Sequence, residues 1–408
     1  MSRENVHRPC LFYAAGPGDV VKTFHAWQAG QDDNHQIAVT YSGQFFDVCK
    51  KLGAKGVVIS SNPRAAIIRT GQFYIENRPK GEPRSGLHYH LQQLRYVRGL
   101  MKTAVDEAAE VVVAAESSGH FFSFAWFAPA AIALLPTIHC TLWPKFRPLD
   151  LRQRILNFLN RSFFNRRVLA ILCISEEIRR QLRVIGGDAL GAVCRFRPCY
   201  RPDTFAEIPP PQRTDTSFHI LFAGRLEENK GVFDLLDICQ RLKPEVQDRV
   251  VWHLAGDGSC EERLRREVEH LRLGKKFRIY GYCHREKMMQ LISLSHAFIV
   301  PTTRAFEEGF NKVVAEAVLS KRPVITSAVC PAVDDVRGAL VEVQPDDVDD
   351  YCRAVEKLVE DTDFYWRRQV ACRSLQHQFY NVDNSWRMQL EKIVSAHYRR
   401  AGQGGEYR

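Results

Sequence analysis

The 408-residue sequence predicts an α/β protein made of two successive parallel-sheet units with a cleft between them. Three observations carry that expectation. Short runs rich in Val, Ile, Leu and Phe alternate with segments of helical period, which is the pattern of parallel strands joined by crossover helices. The alternation comes as two series, parted by the Pro-rich stretch RPDTFAEIPPPQRTDT, which breaks periodicity and reads as a linker over residues 201–216. The chain is also long enough for two domains, each with its own core, and its 45% hydrophobic content excludes disorder of the bulk.

In the first unit, residues 1–200, strands are expected at CLFYAA, HQIAVTY, KGVVIS, EVVVAA, PTIHC and VLAILCI. Each is a short apolar run of the kind that a strand buried on both faces requires. AAGPGDVVKTFHAW places Gly16 and Gly18 at the end of the first strand, where either a tight turn or the approach of a ligand calls for glycine. The stretch from Ser117 to Pro144 is long and apolar, but Pro129 and Pro136 would interrupt a spanning helix. It reads as a buried helix followed by a central strand. Next, KFRPLDLRQRILNFLNRSFFNRR sets Leu151, Ile155, Phe158, Leu159 and Phe163 in one stripe among Arg152, Arg154, Arg161, Arg166 and Arg167. Such a helix suits either core packing or an anionic membrane surface. In CISEEIRRQL, Ser175 is an N-cap followed by Glu176 and Glu177 in the first turn.

In the second unit, residues 217–378, strands are expected at FHILFAG, VVWHLAG, FRIYGY, HAFIVPT, RPVITS and ALVEV. The segment from about Thr362 to Arg400 is helical in pattern, with Trp366, Phe379, Trp386 and Leu390 available to pack, and residues 379–408 read as a C-terminal helix and tail packing back on the body, AGQGGEYR being frayed. Asp347-Val348-Asp349 is a DxD, but acids crowd a helix start there, so stabilisation of the helix dipole explains it better than metal binding.

Charge is unevenly distributed. Residues 1–200 hold 26 Lys+Arg against 15 Asp+Glu, a net +11, whereas the remainder is net −1. Such a field attracts phosphates, anionic lipid or nucleic acid, or merely solubilises. The twelve cysteines show no CxxC spacing and the start of the chain shows no apolar signal segment, so a cytoplasmic setting and buried, inert thiols are expected, with no metal and no cofactor.

Two segments of the second unit carry chemistry. In FAGRLEENKGVFDLL the strand ends at Gly224, with Arg225 and Lys230 in the loop that follows. This is the carboxyl edge of a parallel sheet, and two fixed cations there suit a diphosphate, although a solvated turn would look the same. In PTTRAFEEGFNKVVAEAVLSKRPVITS a polar loop leads into a helix near Asn311, whose first N–H groups, beside Gly309, Phe310 and Asn311, are open to phosphate or sugar oxygens. Glu308 precedes that helix and Glu316 lies on it, so one carboxylate can reach a reacting sugar while the other accepts from a ribose diol. The bland alternative is a favourable N-terminal charge and a surface residue.

Read together, the GR…KG loop, the AGDG turn at residues 255–258, the Glu-x7-Glu element EGFNKVVAE and the AVLSKRPVITS run resemble the retaining GT-B glycosyltransferases of family 4, over most of the chain. The resemblance implies the GT-B fold, two Rossmann-like domains whose parallel sheets face across an open cleft. It implies a nucleoside-diphosphate sugar as donor, with Arg225 and Lys230 on the diphosphate, Glu308 on the transferred sugar and Glu316 on the ribose. Gly16 and Gly18 match the family's glycine-rich loop near the donor, and His139, in TIHCTLWP, matches its histidine beside the transferred sugar. Glu116 and His120 face the same cleft as candidates for binding a carbohydrate, lipid or small-molecule acceptor. Asn311 departs from the glycine usual in the family, which bears on donor identity. The competing class is an inactive sugar-nucleotide or nucleic-acid binder; no nucleic-acid motif is present.

Overall fold

The computed structural model describes residues 8–116, 118–211 and 217–404. Two sheets form. The first takes β1 (Cys10–Ala14), β2 (Lys55–Ser60), β3 (Ala66–Arg69), β4 (Phe73–Asn77), β5 (Val111–Ala114), β6 (Ala133–Ile138), β7 (Ile171–Cys173) and β8 (Val193–Arg195), in the order β3-β4-β2-β1-β5-β6-β7-β8. The second takes β9 (Phe218–Ala223), β10 (Val250–Ala255), β11 (Phe277–Ile279), β12 (Ala297–Val300), β13 (Val324–Ser327) and β14 (Leu340–Val343), in the order β11-β10-β9-β12-β13-β14. All pairings are parallel except β3 with β4. The inner strands are almost wholly buried, as sheets covered by helices on both faces require, whereas the edge strands β3, β8, β11 and β14 are only partly so.

Three expectations need correction. HQIAVTY is not a strand: the Thr40 hydroxyl accepts from the Gly43 N–H at 3.1 Å and caps the helix Tyr41–Lys51, so local capping prevails over the Ile37–Val39 alternation. The β3–β4 hairpin was not expected: β3 lies at the sheet edge with Ile67 exposed, and its apolar run, Ala65–Ile68, is short and bounded by arginines. Trp366 faces solvent. Of the linker, residues 212–216 lie outside the described residues, while Pro209 is held by its carbonyl, which accepts from Arg322 Nη1 at 2.9 Å. At the C-terminal end, AGQG at 401–404 continues the helix, and the rest lies outside the described residues.

The helix Trp386–Gly404 returns to the first unit and packs against Tyr41–Lys51, where Lys51 pairs with Glu391 at 2.6 Å. Phe379, Trp386 and Leu390 are buried. The DxD resolves as expected into helix chemistry: Asp347 caps Val348–Glu360 by accepting from the Asp350 N–H, and Asp349 pairs with Arg241. The cysteines are only partly as expected: seven are buried, four are intermediate, and Cys140 is exposed at the cleft.

Candidate active site

The site lies where the carboxyl edges of β9 and β12 meet the carboxyl edge of β6. Close backbone packing shapes the second unit's side of it. Gly231 has φ +71, and a Cβ there would lie 2.1 Å from the Pro301 carbonyl oxygen; one at Gly256 (φ +143) would lie 1.8 Å from that of Gly224. Gly258 sits equally tightly on Leu226. These glycines lock the Gly224–Gly231 loop against the ends of β10 and β12, and the Asn229 carbonyl accepts from the Thr303 N–H at 3.1 Å to complete the join.

The loop presents its cations to the cleft. Lys230 Nζ donates to Glu308 Oε2 at 2.6 Å, both side chains being largely buried, and it lies 3.8 Å from the Phe306 ring centroid. Arg225 is exposed and held by Glu227 at 2.8 Å. Asn311 has φ +64, which explains how it can stand where glycine is usual: among L-residues asparagine tolerates this region best. Its amide donates to Glu308 Oε2 at 3.3 Å. Phe310 turns its ring into the core against Phe379, leaving its backbone at the start of the helix Lys312–Leu319.

Glu316 is buried one turn into that helix. Its carboxyl is pushed up to about 7 by burial, against the opposing pull of Lys312 and of the Tyr200 hydroxyl, which donates to Oε1 at 3.3 Å. Lys312 reaches the first unit, donating to Gln36 Oε1 at 2.9 Å and lying 5.0 Å from the Tyr41 ring. Neither Tyr200, Tyr41 nor Lys312 was singled out from the sequence; for Lys312, only its spacing four residues before Glu316 could have drawn attention.

His139 follows β6, with its ring 4.3 Å from that of Tyr41. Burial, with Lys312 nearby, pushes it down to about 3, so the imidazole is neutral at physiological pH. Its tautomer follows from donor counting. The Trp386 indole N–H can only donate, and it does so to Thr137 Oγ1 at 2.9 Å. His139 Nε2 lies 3.1 Å from the same buried hydroxyl, whose proton finds an acceptor there when the ring proton is on Nδ1. That Nδ1 has no protein partner, and the same holds for the buried Tyr41 Oη, Thr141 Oγ1, Asn229 Oδ1 and Thr302 Oγ1. Of these residues His139 and Thr141 line the cavity described next; buried polar atoms without protein partners also occur away from it, at Trp252 Nε1 and Tyr398 Oη.

The cleft is not open throughout. A Cβ on Gly309 would lie 1.7 Å from the His139 carbonyl oxygen, so the two units touch there. Beside that contact lies a cavity of about 430 Å³ lined in part by Tyr89, His139, Arg152, Gln153 and Glu307. Glu116 and His120 stand behind its wall. Glu116 is held by Lys80 at 2.8 Å and by the hydroxyls of Ser61 and Ser118, while His120 Nδ1 meets the Ser118 carbonyl and Nε2 meets His90, each at 2.8 Å. Gly16 and Gly18 have no left-handed requirement, and a Cβ at either meets nothing within 4 Å. Among the described residues no group of three or more His, Cys, Asp or Glu is placed to hold a metal ion.

The chain is similar to known proteins. Residues 204–373 match the family model described as glycosyl transferases group 1. O-antigen chain mannosyltransferase B of Escherichia coli is 26% identical over 240 residues, covering 57% of this chain and 61% of its own length. A glycogen synthase of Mycobacterium tuberculosis is 26% identical over 156 residues, 38% of this chain and 37% of its own. The matched region therefore spans less than two thirds of either relative. Among solved structures, HepE of Anabaena in complex with UDP aligns with a TM-score of 0.63 at 16% identity, covering 95% of this chain and 100% of that one. Sucrose-phosphate synthase of Thermosynechococcus elongatus aligns at 0.68 and 15% identity, covering 97% and 100%. The chain thus has the GT-B fold, and the family match supports a glycosyltransferase.

Proposed function

We propose that the chain transfers a hexose-type sugar from a nucleoside-diphosphate sugar to an acceptor presented by the first unit, with retention of anomeric configuration and without a metal ion. One observation carries the reading: the buried Lys230–Glu308 pair, joined by the Asn311 amide at the start of the helix Lys312–Leu319, stands with Arg225 around the Phe306 ring in one stretch of cleft. The UDP bound by HepE, a structure of the same fold, agrees with a nucleotide donor.

Breaking a sugar–phosphate bond leaves negative charge on the diphosphate. Arg225, Lys230 and the helix-start N–H groups are fixed where they would stabilise that charge more in the transition state than in the ground state. Lys230 now neutralises Glu308. A diphosphate would compete for the ammonium and turn the Glu308 carboxylate toward the sugar. His139 contributes a neutral Nδ1–H donor for a sugar hydroxyl, and a donor phosphate oxygen takes the acceptor proton, so no side chain is assigned as general base. Glu316 accepts from the ribose diol in its ionised form. Gly16 and Gly18 leave room for the donor, and the acceptor occupies the cavity at Tyr89, Arg152 and Glu307, whose wall Glu116 and His120 brace.

The test is a thermal-shift screen with UDP, GDP and ADP, followed by turnover of the matching nucleotide sugars. Arg225→Ala and Lys230→Ala should each slow turnover by about two to three orders of magnitude. Near-normal turnover in a folded double variant would remove the donor-site assignment, and a nucleotide-induced shift with no turnover of any sugar would identify an inactive binder.

A further inference from the structure

Four arginines and no acidic residue lie on one helix of the first unit, Leu151–Arg166, and the structure divides that helix in two. Asn160, Phe163 and Phe164 face the core. Leu151, Ile155 and Phe158, which the sequence places in one stripe with Leu159 and Phe163, instead point outward, at 74%, 52% and 77% exposure. At about 100° per residue these three fall within about 60° of one another, with Arg154 and Arg161 on one flank and Arg166 on the other. Large apolar side chains do not stand in water along one ridge without a partner. Nor do the flanking arginines find carboxylates: among the described residues Arg154, Arg161, Arg166 and Arg167 form no ion pair, while Arg152 faces Glu307 across the cavity. Arg154 donates to the Leu149 carbonyl at 3.3 Å, and Arg152 lies 5.1 Å over the Tyr89 ring. The adjoining helix Phe122–Phe127 is tied to this one where Asn160 Oδ1 accepts from the Phe122 N–H at 2.9 Å, and it exposes Trp126 at 61%.

We infer that this face docks on an anionic bilayer surface, with Leu151, Ile155 and Phe158 entering the headgroup boundary and the flanking arginines meeting lipid phosphates. A ridge of apolar side chains with guanidinium groups on both sides is the arrangement in which long cationic stems extend to a headgroup layer while the apolar residues sink between them. Charge selects the occupant: the net +11 of residues 1–200 favours an anionic surface and disfavours a second copy of the same face. Contact is peripheral, since no helix among the described residues is long and apolar enough to cross a membrane. Arg152 and Gln153 of the same helix line the cavity described above, so docking sets the cavity mouth beside the headgroups. On the glycosyltransferase reading, that position suits an acceptor carried by a lipid; the docking itself does not depend on that reading.

The experiment is co-sedimentation of the full chain with vesicles of phosphatidylcholine alone and of phosphatidylcholine with phosphatidylglycerol in equal parts, at low and high salt. The parent should pellet with the anionic vesicles at low salt. A variant carrying Arg154→Gln, Arg161→Gln and Arg166→Gln should lose at least about tenfold in partitioning. A second variant, Leu151→Ser, Ile155→Ser and Phe158→Ser, should lose the part of the binding that survives salt. Both should keep the parent's thermal shift with nucleotide, which reports the other unit and fails independently if the donor-site reading is wrong. Failure of the parent to pellet with anionic vesicles, equal pelleting of parent and Gln variant, or a concentration-dependent dimer abolished by the Ser substitutions would each overturn the proposal.

Discussion

The two sheet edges that face each other are built on opposite plans. At the second unit's edge, Gly231, Gly256 and Gly258 are each filled to contact by backbone, and the loop they shape cannot be otherwise. At the first unit's edge, Gly16 and Gly18 look onto empty space and need no unusual dihedral. Equal-looking glycines therefore serve different ends. On one side the residue is required by the protein's own backbone; on the other it is required only if something else comes close.

Substitutions can break that contrast. Gly256→Ala, where φ is +143 and the clash is with main chain inside one unit, should cost about 3 kcal/mol or more of stability, read by urea unfolding. The contrast fails if the variant unfolds like the parent. Next in size is Glu316→Gln. A carboxyl raised from its ordinary value to about 7 in the folded chain binds its proton more tightly there than in the unfolded chain, so it lowers stability progressively as pH rises from about 4.5 to about 7. The Gln variant should gain on the order of 2 kcal/mol at pH 8, partly offset because Lys312 loses its anionic neighbour, and should match the parent near pH 4.5. It should also remove the parent's gain in nucleotide affinity as pH rises through about 7. Stability curves that run parallel at all pH values would show that folding does not shift the Glu316 carboxyl.

Smaller effects probe the first unit. Trp386→Phe keeps most of the packing and deletes the donor to Thr137, which should cost about 1 kcal/mol and release the His139 tautomer. Nitrogen chemical shifts of the imidazole check this; an unchanged Nδ1–H signature would mean that the indole does not set the ring through Thr137. Smallest of all, Gly16→Ala should alter stability by less than about 0.5 kcal/mol while weakening nucleotide binding in calorimetry. A stability loss like that of Gly256→Ala would erase the distinction between the two edges.

How much of this the sequence revealed follows the range of the interactions. The parallel series were legible because each strand is a contiguous apolar run, and the donor-site segments because Arg225 with Lys230 and Glu308 with Glu316 are near neighbours in the chain. The Tyr41–Lys51 helix was misread at its start because one hydroxyl, on Thr40, outweighs a weak alternation. The Leu151–Arg166 stripe was legible as a stripe but not as two faces, since periodicity alone does not say which side of a helix the core occupies. Thr137 with Trp386, and Tyr200 with Glu316, were illegible because the partners lie 249 and 116 residues apart.

That separation has a consequence for biosynthesis. Thr137 sits in the middle of the first sheet, yet the indole that satisfies it is polymerised 249 residues later. At roughly 5–20 residues per second, the emerging first half waits about 10–50 seconds with the seat of Trp386 unfilled and the flank of Tyr41–Lys51 bare. All eight strands of that half are thus made well before the helix Trp386–Gly404 that closes over it, and that helix is the clasp that completes the first unit's packing.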